Sequence, residues 1–283
     1  MSATTGIAGS TGGGERPRQF RGNVRGTFAT LFRSPRPPGR TPAWPSGRIL
    51  LFSVVLAAVA ITAAMLWLDT FALAEVRGLP RWLKVLFGRI TDAGLSGWFL
   101  WPTGLGLIAL AMVDRPPLER FSRLVLAALA VRLGFVFAAI AVPGLFLTVI
   151  KRLIGRLRPN ASGGDVWVYA PLTWQSAYHS MPSGHAATAA SVAIAIGLVW
   201  PKLRPLMWTY ALLIWFSRVI VSAHYPSDVV AGAIIGTAGA LVVRNWFAER
   251  RLGFVVETGS SIRAFSPPPW RRLKGVARRL VAA

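Results

Sequence analysis

Apolar residues fall in long unbroken runs along this chain, and polar residues collect between them. Ile49–Leu68 is an uninterrupted apolar stretch of the length a bilayer requires. Further runs cover Trp98–Val113, Leu124–Ile150, Ala186–Trp200, Leu206–Ala223 and Val229–Phe247. The pattern predicts an all-α polytopic membrane protein, a bundle of about six transmembrane helices over residues 49–247. Residues 1–48 and 248–283 flank it. The first stretch is rich in Gly, Ser, Thr, Pro and Arg and has almost no apolar periodicity, so it is expected to be a disordered basic tail. Nothing before Ile49 resembles a signal-peptide core, so the first span is expected to be a retained anchor. Between the first two runs, Leu83, Leu86, Phe87 and Ile90 recur at helical spacing among Arg77, Arg81, Lys84 and Arg89. That suits an amphipathic helix lying in the interface, which either caps the bundle or gathers anionic head groups.

Composition supports the membrane class: 53% of the 283 residues are hydrophobic and only 15% are charged. The net charge of +22 sits mainly in the two tails and in short loops. A nucleic-acid role is not expected, because no basic fold signature lies between the apolar runs. Eight Arg against one Glu precede Leu51. Arg115, Arg120 and Arg123 follow the second run, and Lys202 and Arg204 follow the fourth. Arg250 to Arg279 follow the sixth. A six-span layout puts all of these on one side, which the positive-inside rule makes cytoplasmic, with both termini there. A bacterial inner membrane is the expected location. The chain has no cysteine, which removes disulfides, thiolate catalysis and Cys-based metal sites.

Three polar clusters then fall together on the opposite, periplasmic side. The first is Lys151-x6-Arg158-Pro159. Two helical turns separate Lys151 from Arg158, so both can face one way, with Pro159 ending the helix. A plain positive rim, served equally by Arg152 or Arg156, is the bland alternative. The second is Pro182-Ser183-Gly184-His185, at the start of the fourth run. Ser183 is a candidate N-cap, Gly184 lets backbone approach a ligand, and a helix start is an anion site. It also reads as a simple cap with a solvent-facing His. The third is Ser217-Arg218-x5-His224-x3-Asp228. An ionisable residue within a span is a functional hypothesis by default. Pro226 frees His224 from the helix, and Asp228 can fix its tautomer; a His–Asp pair tying two spans together is the structural alternative.

Together the clusters suit phosphoryl transfer. Lys151, Arg158 and Arg218 would balance a phosphoryl dianion, aided by Ser183 and the backbone at Gly184. His224 would attack phosphorus, and His185 would protonate the leaving oxygen and later activate water. No paired carboxylates or HxxxH spacing suggest a metal, and no cofactor is expected.

With each spacing intact, the clusters resemble the three-part signature of the type 2 phosphatidic acid phosphatase superfamily. The resemblance implies an all-helical core shared with vanadium-dependent haloperoxidases and a metal-independent phosphatase with an outward-facing site. It implies His224 as nucleophile, His185 as acid and base, Asp228 as orienting carboxylate, and Lys151, Arg158, Ser183, Gly184 and Arg218 as phosphate ligands. The expected function is hydrolysis of the terminal phosphate of a membrane lipid phosphate or isoprenyl pyrophosphate through a phosphohistidine. Candidate substrates are undecaprenyl pyrophosphate, phosphatidic acid, phosphatidylglycerol phosphate and lipid A phosphates. The alternatives are a phosphotransferase, which passes the group to another lipid or sugar, and a non-catalytic lipid-phosphate transporter or scaffold. The 160–180 connector carries Trp167, Tyr169, Trp174 and Tyr178, which suit interface anchors or a lid. His179 reads as a loop histidine, and Arg132 as a residue snorkelling to the cytoplasmic face.

Overall fold

The computed structural model describes residues 15–35, 44–113, 120–257, 261–265 and 270–282. Apolar helices stand where the six runs are expected. They are α2 (Gly47–Ala63), α5 (Gly97–Met112), α6 (Arg120–Ile154), α7 (Gly184–Val199), α8 (Arg204–Ile220) and α9 (Pro226–Glu249). Ser46 caps α2 by accepting from the Ile49 amide. A π-helical turn, Ala64–Leu68, then joins α2 to α3 (Asp69–Arg77), making one continuous stretch. The amphipathic segment is helix α4 (Arg81–Asp92), with Trp82, Val85 and Leu86 exposed.

Among the described residues, four helical stretches are long and apolar enough to cross a membrane: Gly47–Arg77, Arg81–Met112, Arg120–Ile154 and Pro226–Glu249. Helix α7 is apolar but has 16 residues. At 1.5 Å per residue it is about 24 Å long, short of the ~30 Å hydrocarbon core. Length alone therefore supports four of the six expected spans.

Helix α7 lies at the centre, packed on α6, α8 and α9. It is buried on all sides, which its alanine-rich sequence permits. Small residues bring α9 against it. A Cβ at Gly232 would lie 2.3 Å from the Ser183 carbonyl oxygen, and one at Gly236 would lie 2.2 Å from that of Ala187. Ser191 Oγ closes the contact by donating to the Gly236 carbonyl at 3.0 Å. Bundles in lipid gain stability from such close backbone approach. Gly236→Ala must therefore push the helices apart. A loss of about 1–3 kcal/mol is expected, read as a lower thermal midpoint in detergent.

Both flanking stretches hold regular structure; the disorder expected of residues 1–14 and 36–43 lies outside the described residues. Within 1–48, residues Glu15–Leu31 form helix α1. Asn23 Nδ2 donates to the carbonyls of Ala111 (2.9 Å) and Val113 (3.2 Å), so α1 serves the free carbonyls ending α5. Tertiary contact supplies the order that local periodicity does not. After α9, strand β1 (Phe254–Val256) pairs antiparallel with β2 (Ile262–Ala264). Phe254 packs edge-on against Phe135 of α6 at 4.7 Å. Helix α10 (Trp270–Ala282) buries Val276 against Val125 and Leu126. Arg132 is held at the same end, donating to the carbonyls of Ala128 and Phe265, each at 2.8 Å. The boundaries expected at 48 and 248 thus do not mark where packing on the bundle stops.

Candidate functional site

The end of α6, the starts of α7 and α9 and the end of α8 meet at one end of the bundle, bringing the three clusters together. Helix α6 stops at Ile154, before Pro159. Gly155 has φ +60°, and a Cβ there would fall 1.9 Å from the Ala170 carbonyl oxygen. Lys151 and Arg158 therefore do not share one helix, contrary to the expectation from their spacing. Lys151 occupies the last turn, while Arg158 lies on extended chain held by Leu157 N–H to Val168 and Arg158 N–H to Ala177. The two cations still converge with Arg218 and the two histidines, near enough for each to feel the others' charge.

Ser183 is buried and caps α7, accepting from the Ala186 amide at 3.4 Å. Its own N–H donates to the Asp228 carbonyl at 2.9 Å, joining the starts of α7 and α9. Gly184 has a steric reason. A Cβ there would stand 3.2 Å from Lys151 Nζ, in the space beside the ammonium. Arg218 is buried in the last turn of α8 and donates from Nη1 to Thr91 Oγ1 of α4 at 2.6 Å. His185 is half-buried and lies against Gly94, just after α4. Ser217, although part of the signature, turns back on its own helix to the Ile214 carbonyl.

His224 lies in the turn between α8 and α9. Its Nδ1 is 2.7 Å from the Ser180 carbonyl oxygen. A carbonyl only accepts, so Nδ1 carries the proton, and the neutral ring keeps its lone pair on Nε2. Burial pushes His224 down to about 4; Arg218 and Lys151 add to this effect and Asp228 opposes it. Asp228 Oδ2 is 3.8 Å from Nδ1, beyond hydrogen-bond reach. The carboxylate expected to orient His224 is thus engaged elsewhere, and the Ser180 carbonyl orients the ring. Asp228 accepts from Arg156 Nη1 at 2.8 Å, Ser180 Oγ at 2.5 Å and the Tyr225 amide at 2.9 Å.

Arg156, expected at most to be a rim cation, is fully buried. It donates to Asp228, Ser227 Oγ, the Val166 carbonyl and Asp69 Oδ2 of α3. Its guanidinium lies 4.1 Å from the Tyr225 ring centre. Burial disfavours its charge, but Asp228 and Asp69 more than offset that and raise its pKa. Arg152 instead lies over Trp174 at 4.4 Å, outside the cluster. Asp69, Arg156, Ser180 and Thr91 were not among the candidate residues. A carboxylate following an apolar run, as at Asp69, was the available signal. In the connector, Trp167 and Trp174 are exposed, as interface anchors require, and His179 pairs with the Thr173 carbonyl.

Residues 132–252 match the family model described as the PAP2 superfamily. Over 122 residues the chain is 36% identical to a lipid A 1-phosphatase of Rhizobium johnstonii, covering 43% of this chain and 50% of that protein. Over 139 residues it is 35% identical to the decaprenylphosphoryl-5-phosphoribose phosphatase of Mycobacterium tuberculosis, covering 49% and 70%. Over 80 residues it is 39% identical to phosphatidylglycerophosphatase B of Escherichia coli, covering 26% and 31%. The chain thus spans about half the length of the lipid A 1-phosphatase it matches.

Proposed function

The chain belongs to the PAP2 superfamily, and from that premise we propose an integral membrane phosphatase acting on a lipid phosphate or isoprenyl pyrophosphate. The observation that carries the reading is the Nδ1–H···O bond from His224 to Ser180, which leaves Nε2 as the nucleophilic atom. The Nε2 lone pair attacks phosphorus. The bond from phosphorus to the lipid oxygen breaks, and His185, entering the step as the imidazolium, gives its proton to that oxygen and becomes neutral. The lipid alcohol, or lipid monophosphate from a pyrophosphate, departs. His185 then takes a proton from water, whose oxygen attacks phosphorus and breaks the P–N bond, releasing phosphate. Lys151, Arg158 and Arg218 offset the charge on the phosphoryl oxygens. The start of α7, capped by Ser183 and free of a side chain at Gly184, adds backbone donors.

The direct test is to trap the intermediate. Purified protein turning over a lipid phosphate is quenched in alkali and mapped by mass spectrometry. Phosphate on His224 is expected; an unmodified His224 during turnover refutes the covalent step. Activity should persist in EDTA, and its loss would refute metal-free hydrolysis.

A pH profile follows from the same geometry. Neutral His224 is needed for attack, so the acid limb of kcat/KM should lie near pH 4, below the ~6.5 of a free imidazole. Folding has the same sign. The unfolded chain binds the His224 proton more tightly, so this contribution to stability is full above about pH 6.5 and is lost as pH falls through about 4.

We place the site on the periplasmic side, with the termini cytoplasmic, on the strength of the loop charges. The cysteine-free chain makes the test simple. In intact spheroplasts, Trp174→Cys should react with an impermeant maleimide and Lys202→Cys should not. The reverse pattern would invert the topology.

A further inference from the structure

Arg156 occupies one of the six unspecified positions between Lys151 and Arg158, and Asp69 lies outside both the three clusters and the span 132–252 matched by the family model. We propose that Asp69 and Arg156 form a positioning pair that fixes the orientation of the His224 imidazole and the charge it feels during phosphoryl transfer. This inference rests on the phosphohistidine reading of His224.

The route is continuous. Asp69 accepts from the Ser227 amide (3.0 Å), Ser227 Oγ (2.6 Å) and Arg156 Nη2 (2.7 Å). Arg156 Nη1 binds Asp228 Oδ1, while Asp228 Oδ2 accepts from Ser180 Oγ. The Ser180 amide donates to the Arg156 carbonyl at 3.0 Å, so Ser180 is held from both sides. The Ser180 carbonyl then accepts from His224 Nδ1. Asp69 accepts from three donors, which oppose the desolvation that burial imposes on its carboxylate. Two carboxylates and one guanidinium leave one surplus negative charge, buried behind the ring. When Nε2 bonds to phosphorus with Nδ1 protonated, the imidazole becomes cationic, and that surplus favours the cation. The π-helical turn immediately before Asp69 fits such a role, because these turns frequently occur at functional sites.

Single-charge changes separate this role from mere packing. The other groups around His224 stay constant: Lys151 of α6, His185 of α7, Arg218 of α8, Arg158 of the connector and Asp228 of α9, with Asp92 of α4 acting on Arg218. Asp69→Asn removes the surplus charge, and Arg156→Gln doubles it. Full-length protein in detergent is assayed for phosphate release from a short-chain phosphatidic acid, with folded fraction and thermal midpoint measured alongside.

In Asp69→Asn, kcat should fall about 10-fold with KM within about 2-fold. Its acid limb should move down by about half a pH unit. In Arg156→Gln the limb should move up by a similar amount. Arg156→Lys keeps the charge and loses the two-pronged donation. Its limb should stay in place while kcat falls, and it carries the test if Arg156→Gln does not fold. Limbs that do not move, or that move together, overturn the inference even if thermal midpoints drop. If His224→Ala is inactive while Asp69→Asn and Arg156→Lys match wild type, the positioning role fails alone. A wild-type protein that releases no phosphate takes both readings down.

Discussion

Replacing His224 with Ala is expected to cut phosphate release by at least about 10³-fold, while the protein remains folded. The size follows from its role. Removing the nucleophile removes the covalent route itself, and the cations at Lys151, Arg158 and Arg218 can only stabilise whatever slow attack by water remains. The structural loss is one hydrogen bond, from Nδ1 to the Ser180 carbonyl. Leaving that carbonyl unpaired costs about 1–3 kcal/mol. Gel-filtration behaviour should therefore match wild type, with a modest drop in thermal midpoint. A His224→Ala variant retaining more than about a tenth of wild-type turnover would sink the phosphohistidine mechanism, because nucleophile losses are far larger than that.

Asp228→Ala should behave differently, losing the fold together with the activity. The carboxylate is fully buried and accepts from Arg156, Ser180 and the Tyr225 amide. Deleting it leaves the Arg156 guanidinium buried with Asp69 as its remaining carboxylate. Breaking a buried ion pair from one side costs about 3–5 kcal/mol, a large share of the stability of most domains. The expected readout is a sharply lower yield of monodisperse protein and a thermal midpoint well below that of His224→Ala. If Asp228 acted only by orienting His224, the two variants would be equally stable. Equal midpoints would therefore restore the simpler His–Asp pairing.

The contrast marks what the sequence could tell. Signature spacing identifies side chains that serve one reaction, and the structure gathers Lys151, Arg158, Ser183, Gly184, His185, Arg218, His224 and Asp228 at one end of the bundle. Spacing did not reveal how they are held. Arg156 meets Asp69 across 87 positions of chain, and Thr91 meets Arg218 across 127. No local pattern encodes such pairings. Helical periodicity also misled at Lys151 and Arg158, because Gly155 takes a left-handed conformation and ends α6 early. Helix α1 was missed for a related reason. Its sequence is polar and carries glycines, and its order comes from contacts such as Asn23 on the end of α5.

The backbone contact of α7 with α9 has a consequence for how the protein can diversify. With no side chain at Gly232 or Gly236, the two helices meet main chain to main chain, and Ser183 and Asp228 ride on that joint. The chemical centre behaves as one block that tolerates little change. Within the connector 160–180, Ser180 and Val166 belong to that block through Asp228, His224 and Arg156, whereas Trp167 and Trp174 stand exposed at its rim. New head-group preferences are therefore expected to arise by rewriting the rim, with the reaction beneath it inherited intact.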